Sequence, residues 1–144
     1  MRFYKIITNQ NKSQIDTITN SMSSVETDYI IQVYEKIHMV EYTDVNGFEC
    51  VFVILDVLGV KEMTGLYKKY SIKFDIIDLT EDIIRDNPIK IKFKNDKENL
   101  IKNKFLELIK KYKLNWITKD DILDKIIDKG IKSLTKFDLE VLKS

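Results

Sequence analysis

The chain has 144 residues, of which 44% are hydrophobic and 33% are charged, with 24 Lys and Arg against 23 Asp and Glu. This composition is typical of one soluble globular domain or of two very small ones. The longest uninterrupted apolar run, Val51 to Leu55, is far shorter than the ~20 residues of a bilayer-spanning helix, which argues against membrane insertion.

The first 80 residues predict the element order βαββαβ. Ser13, with Asp16 three residues later, is expected to cap the first helix. The second helix follows Gly59 and places Val60, Met63, Tyr67 and Tyr70 on one face. The four predicted strands are Phe3 to Thr8, Tyr29 to Tyr42, Phe48 to Val57, and Ile72 to Leu79.

The pair Asn46-Gly47 predicts a β-hairpin between the second and third strands. Asn-Gly between β-branched runs favours a two-residue type I′ turn, in which both residues have a positive φ. Such a turn places Thr43 opposite Cys50.

This order of elements resembles the ferredoxin-like fold, a four-stranded antiparallel sheet with two helices on one side. The resemblance implies an α+β protein. It implies no particular activity, because that fold carries many unrelated functions.

Both faces of the predicted sheet are apolar, although the two helices of a ferredoxin-like domain cover only one face. With the two-residue turn, the first face holds Val40, Tyr42, Val51, Val53 and Leu55, and the second holds Met39, Phe48, Cys50, Phe52 and Ile54. The second face is expected to be covered by the helix predicted from Lys97 to Tyr112, by a second subunit, or by a partner protein.

The middle of the chain is basic. Met1 to Ile84 carries 8 basic and 13 acidic residues, whereas Arg85 to Lys113 carries 10 and 4. Ile89, Ile91 and Phe93 alternate with lysines, which predicts a short edge strand ahead of the Lys97 to Tyr112 helix.

The tail predicts a helical hairpin. Thr118 with Asp121 and Thr135 with Asp138 form two capping boxes, and Gly130 marks the end of the first helix. Three segments are therefore expected: an α+β domain over 1–87, a basic strand and helix over 88–117, and the capped hairpin over 118–144.

Within the tail, the run Asp121 to Ile126, the pair Lys129-Gly130 and the run Ser133 to Thr135 resemble the small helical C-terminal tail of some bacterial rhomboid-type membrane proteases. The resemblance covers 121–142 and implies an adaptor-like cytoplasmic tail. It implies no catalytic role, because the chain lacks a Gly-x-Ser-x-Gly nucleophile segment with a downstream His.

The only candidates for a nucleophile and base pair are Cys50 and His38. In the predicted register they lie on opposite faces of the sheet, so we expect no catalytic dyad. One Cys and one His also make neither a disulfide nor a structural zinc site, and the four glycines form no phosphate-binding loop. No catalytic residue, metal ligand or cofactor is predicted.

The sequence therefore favours a non-catalytic protein-interaction or assembly module that binds a protein partner or itself, in a reducing cytoplasm. The composition, with 22 Lys, 22 Ile and no Ala, is typical of an AT-rich genome and leaves a phage particle as one such assembly. Two alternatives stay open, namely a nucleic-acid-binding accessory protein using segment 90–113 and a small enzyme. The predicted contact residues are Met39, Phe48, Phe52, Ile54, Lys102, Lys104, Lys110 and Lys111.

Overall fold

The computed structural model describes residues 1–36, 39–92 and 98–143, and it contains one four-stranded antiparallel sheet. The strands are β1 (Arg2–Thr8), β2 (Met39–Thr43), β3 (Glu49–Leu55) and β4 (Phe74–Asp78), in the order β2-β3-β1-β4. The helices are α1 (Lys12–Ser21), α2 (Ser24–Lys36), α3 (Val57–Lys69), α4 (Thr80–Ile84), α5 (Glu98–Trp116), α6 (Lys119–Lys129) and α7 (Lys136–Lys143), with a 3-10 turn at Ile131–Ser133.

This strand order is that of the ferredoxin-like fold, and the α+β class with a helical C-terminal part is confirmed. The connection between β1 and β2 differs from the prediction, because it contains two helices instead of one. Of the residues predicted as the second strand, 29–36 lie in α2, 37–38 lie outside the described residues, and Met39 to Tyr42 lie in β2.

Two helix starts explain this difference. Asn11 caps α1 in a capping box with Gln14, two residues before the predicted cap at Ser13. Before α2, the Ser23 N–H donates to Glu26 Oε2 (3.0 Å) and the Glu26 N–H donates to Ser23 Oγ (3.3 Å). This Ser-x-x-Glu pattern is a helix signal that outweighs the β-branched residues after it.

Glu26 also attaches α2 to the end of α3. It forms an ion pair with Lys69 and accepts a hydrogen bond from Tyr70 Oη (2.5 Å). The hydrogen bonds from Lys69, Tyr70 and Ser23 lower the pKa of Glu26 to about 2. The two helices therefore pack as a pair beside the sheet.

The β2–β3 hairpin closes with a three-residue loop, so the predicted type I′ turn is wrong. The Asp44 N–H donates to Phe48 O (2.9 Å), and the Asp44 carboxylate accepts from the N–H groups of Asn46 (2.9 Å) and Phe48 (3.0 Å). Gly47 has φ 87°, and Asn46 is not among the residues with a positive φ. The aspartate before the Asn-Gly pair favours the longer loop because its side chain satisfies two of the loop's amides.

Gly47 should therefore be the sensitive position of this loop. We expect Gly47→Ala to lower the free energy of unfolding by about 1–2 kcal/mol, because a Cβ is disfavoured at positive φ. Asn46→Ala should change it by less than about 0.5 kcal/mol, as is usual for an exposed side chain. Equal effects in urea unfolding of the two variants would contradict this loop geometry.

The loop shifts the β2–β3 register by one residue, so Tyr42 lies opposite Cys50 and Met39 opposite Val53. Because side chains alternate across a strand, the shift exchanges the faces of β2. Met39 therefore packs with Val53 on one face, whereas Val40 and Tyr42 share the other face with Phe52. The β2 residues predicted for each face were consequently assigned to the wrong side.

The first face of the sheet packs against α3. Its core consists of Ile6, Val51, Val53 and Leu55, and the predicted helix face of Val60, Met63 and Tyr67 packs on it. Helix α3 begins at Asp56, whose carboxylate accepts from the Gly59 N–H (2.7 Å). The predicted face is confirmed at these three residues, whereas Tyr70 is the C-cap residue of α3 and donates to Glu26 instead.

The second face is covered by α5. Of the three expected coverings, namely this helix, a second subunit or a partner protein, the structure shows the first. The Phe105 ring lies 4.3 Å from that of Phe52 and 6.0 Å from that of Phe3, measured between centroids. The ring of Tyr42 stacks on Phe52 at 5.3 Å. Phe3, Phe52 and Phe105 are all buried, so this aromatic cluster is a second core layer.

The chain divides into two compact units, Met1–Leu108 and Ile109–Ser144, with the boundary inside α5. In the second unit, Lys110 Nζ lies 2.6 Å from Glu140 Oε2, and Lys113 Nζ lies 5.4 Å from the centroid of the Phe137 ring. These contacts join the last turns of α5 to α7. Sequence periodicity could not locate such a boundary, because the helix continues through it.

The tail folds as the predicted helical hairpin. The capping boxes Thr118/Asp121 and Thr135/Asp138 are both formed, and Gly130 ends α6 with φ 79°. By contrast, 89–92 are not in a strand, and 93–94, the rest of the predicted edge strand, lie outside the described residues. Within the described ranges, no helix has the length and apolarity needed to cross a membrane.

Candidate functional site

The structure distributes the predicted contact residues of the sheet over three places. Phe52 and Ile54 are buried on the sheet face that α5 covers at Phe52, which is fully inaccessible. Met39 is half-buried on the opposite face, and Phe48 is exposed at the hairpin. These four residues do not form a common surface in this conformation.

The predicted basic contact residues are exposed along α5. They are Lys102, Lys104, Lys110 and Lys111. The aromatic residues that could accompany them in stacking on bases are Phe105 and Tyr112, which are 5% and 1% exposed. The side chain of Trp116 lies outside the described part. On the described part of α5, the exposed apolar side chains near these lysines are leucines, and no accessible aromatic ring is available for stacking on bases.

Cys50 is placed as a packing residue. It is buried, its Sγ donates to Phe48 O (3.7 Å), and burial together with the nearby Asp44 carboxylate raises the pKa of the thiol to about 11. Such a thiol is protonated at neutral pH and is a poor nucleophile. His38 lies outside the described residues, so its predicted position relative to Cys50 stays a prediction.

An exposed apolar row, which sequence reasoning missed, lies on the second compact unit. It consists of Leu123 and Ile127 on α6 and Ile131 on the following 3-10 turn, which are 49%, 80% and 71% exposed. Positions four apart are neighbours along a helix surface, which applies to Leu123 and Ile127 on α6, whereas Ile131 follows the helix end at Gly130. Asp120, Asp124 and Asp128 repeat with the same spacing on the adjacent row and are also exposed. We call these six residues the α6 surface.

The α6 surface is held by contacts on the other side of its helix. Ile122 is 1% exposed, and Lys125 Nζ lies 2.7 Å from Asp138 Oδ2 on α7. Asp138 also accepts from the Thr135 N–H (2.7 Å). Ile122 and Ile126 already supply one apolar stripe of α6. The additional aliphatic residues Leu123 and Ile127 were therefore the signal in the sequence for a second, exposed apolar row.

The first unit contains a cavity of about 290 Å³ on the α3 side of the sheet. Helix α1 forms its roof, α2 and α3 form walls, and the sheet forms its floor through Met39 and Val51. Helix α1 contributes no buried residue, although Ile15, Ile18 and Met22 all line the cavity. Met63 of α3 lines it as well. We call this space the α1 cavity.

Charged side chains cluster at one end of the α1 cavity. Lys12 Nζ lies 3.3 Å from Asp16 Oδ1, and Glu41 and Glu49 line the same end. Partial burial, and then the Glu49 carboxylate, raise the pKa of Glu41, while Lys12 opposes them. Three carboxylates and one ammonium therefore line the cavity, so its electrostatic environment is negative.

No protein-family model, curated protein or solved structure matches this chain. Its function must therefore be inferred from the α6 surface, the α1 cavity and the surrounding chemistry.

Proposed function

We propose that this protein is a non-catalytic assembly module that binds a second copy of itself through the α6 surface. The observation that carries the proposal is the apolar row of that surface, in which Ile127 is 80% and Ile131 is 71% exposed. Contiguous exposed apolar side chains bordered by polar residues are typical of protein-binding sites. We place the module in a reducing cytoplasm, or in a phage particle assembled there.

Charge complementarity supports a second copy as the partner. Asp120, Asp124 and Asp128 give the α6 surface a row of negative charge beside its aliphatic row. The end of α5 presents Lys111 and Lys110, the latter also paired with Glu140, together with Leu114, which is 45% exposed. An apolar and acidic surface thus exists on the same chain as an apolar and basic one, and opposite charges across an interface favour association.

The two surfaces differ, so a contact between the α6 surface of one copy and the α5 end of another is heterologous. Heterologous contacts leave one surface free on each terminal copy and therefore produce rings or open chains of subunits. This behaviour suits an assembly protein. It also predicts that association progresses beyond a dimer as the protein concentration rises.

A substitution in the apolar row tests the surface. We expect Ile127→Asp to weaken self-association by at least about tenfold, because it places a charge at the centre of the apolar contact. Val25→Asp, at an equally exposed aliphatic residue of α2 (76%), is the matched control and should leave association unchanged. Sedimentation velocity across a protein concentration series measures both variants.

A charge-swap experiment tests whether the α6 surface of one copy contacts the end of α5 of another. Asp124→Lys/Asp128→Lys and Lys111→Glu should each weaken self-association, because like charges then face each other. Lys110 is left unchanged, because it also pairs with Glu140 within the chain. Mixing the two variants should restore assembly, and raising the salt from about 50 to about 500 mM should weaken that of the wild type. A wild type that stays monomeric at all concentrations would refute self-association, and charge-swapped variants that fail to assemble when mixed would refute the α5 contact.

A further inference from the structure

We propose that the α1 cavity binds a small amphiphilic organic cation, with the apolar part of the ligand beneath α1 and its ammonium group beside Glu41 and Glu49. This inference concerns the first compact unit and is independent of the proposed assembly surface. Four features of the described residues support it: the volume of the cavity, its roof, its methionines and its charge.

The volume and the roof indicate a space built for a ligand. The α1 cavity is a partly open pocket of about 290 Å³. That volume is close to the lower end of small-molecule pockets, roughly 300 Å³. Helix α1 is well formed, with a complete capping box at Asn11 and Gln14, but none of its residues is buried. Its apolar side faces the cavity and lacks the packing that a ligand would supply.

The lining is adaptable. Three of the four methionines of the chain line the α1 cavity: Met22 just after α1, Met39 on β2 and Met63 on α3. Methionine side chains are flexible and polarisable, and they are common at binding sites that accept varied apolar shapes. The rings of Tyr29 and Tyr67 also line the space. These groups fit an alkyl or aryl body and do not select one particular scaffold.

The charged side chains that line the cavity favour a ligand with a positive charge. Glu41 and Glu49 lie on β2 and β3 at the same end of the cavity, and Asp16 of α1 faces them with Lys12. Thr43 Oγ1 donates to Glu49 Oε1 (2.7 Å), which holds this carboxylate in place. The Glu49 carboxylate is one reason for the raised pKa of Glu41, so the two negative charges disfavour each other. An ammonium group beside them would relieve this repulsion, whereas a carboxylate would increase it.

The test compares three probes that share one alkyl chain: hexylammonium, hexanol and hexanoate. Methyl-labelled methionine NMR of the full chain gives the readout, because Met22, Met39 and Met63 line the cavity and Met1 does not. We expect hexylammonium to shift the first three signals and to leave that of Met1 unchanged. It should bind roughly tenfold or more tightly than hexanol, as expected for a charge-assisted contact, and hexanoate should not bind.

Variants distinguish the contribution of the charged side chains to binding from that of the cavity volume. Glu41→Gln/Glu49→Gln should reduce the affinity for hexylammonium to that for hexanol, whereas Asp28→Asn, an exposed carboxylate outside the cavity, should not. Ile15→Trp should fill the space and abolish binding of both probes while the circular dichroism spectrum stays native. Equal affinity for all three probes, absence of binding by any of them, or an unchanged preference in the double variant would overturn the proposal.

Discussion

Replacing Phe105 by alanine should lower the free energy of unfolding of the first unit by about 3–5 kcal/mol, the usual effect of removing a buried aromatic ring. The ring is 5% exposed and lies between Phe3 and Phe52, so its loss opens a void between α5 and the sheet. The shortened side chain also leaves Phe52 without its closest aromatic neighbour among the described rings.

The neighbouring Leu106 provides the control. It is 60% exposed on the same helix, so Leu106→Ala should change the stability by less than about 0.5 kcal/mol. Urea unfolding followed by circular dichroism measures both variants, and an unchanged m-value shows that the denatured state is unaffected. If the two variants lost the same stability, α5 would not cover the sheet through Phe105.

The second large effect is expected at Asp138. Its carboxylate is 5% exposed, caps α7 through the Thr135 N–H and accepts from Lys125 Nζ at 2.7 Å. Asp138→Ala removes the side-chain half of the capping box and leaves the ammonium of a largely buried ion pair without this carboxylate. We expect a loss of about 2–3 kcal/mol in the local stability of α6 and α7, measured by native-state amide hydrogen exchange.

Asp121 is a matched control for Asp138, because it occupies the same capping-box position on α6 but is exposed. Asp121→Ala should lower the local stability by only about 0.5–1 kcal/mol. A loss at Asp121 as large as that at Asp138 would show that the ion pair with Lys125 contributes nothing beyond the cap.

The Asp138 contribution should also depend on pH. Burial alone would raise the pKa of its carboxyl, but the hydrogen bonds from Lys125 and Thr135 outweigh it and hold the pKa below its usual value of about 4. Because the folded-state pKa is the lower one, the stabilisation is complete above about pH 4 and decreases as the pH falls through the folded value. Hydrogen exchange should show a smaller acid dependence of α6 and α7 in Asp138→Ala than in the wild type.

Local patterns predicted the C-terminal helical hairpin and α3 well. The capping boxes at Thr118 and Thr135 and the stop at Gly130 were readable because each depends on residues within one helical turn. The apolar face of α3 was readable for the same reason. The start of α2 was also encoded, at Ser23 and Glu26, but the β-branched residues that follow it outweighed this signal in our interpretation.

The hairpin shows how a small local error has a wide effect. The pair Asn46-Gly47 correctly marked the loop, but the carboxylate of Asp44 stabilises three loop residues instead of two. This difference of one residue moved Met39 to the α3 side, and with it one side chain of the α1 cavity. Neither the cavity nor its charged end could be predicted, because both need the correct register and the position of α1 above it.

By itself, the sequence determined the α+β class, the order of the strands, the existence of two apolar sheet faces and the capped tail, since these follow from periodicity and from hydrogen bonds between near neighbours. Only the tertiary structure decided which element covers the second face, where the units divide within α5, and which side chains line the cavity. These properties depend on contacts between residues far apart in the chain, such as Phe3 with Phe105 and Glu26 with Tyr70. Such contacts are selected by how well surfaces fit together in three dimensions, which a one-dimensional pattern does not contain.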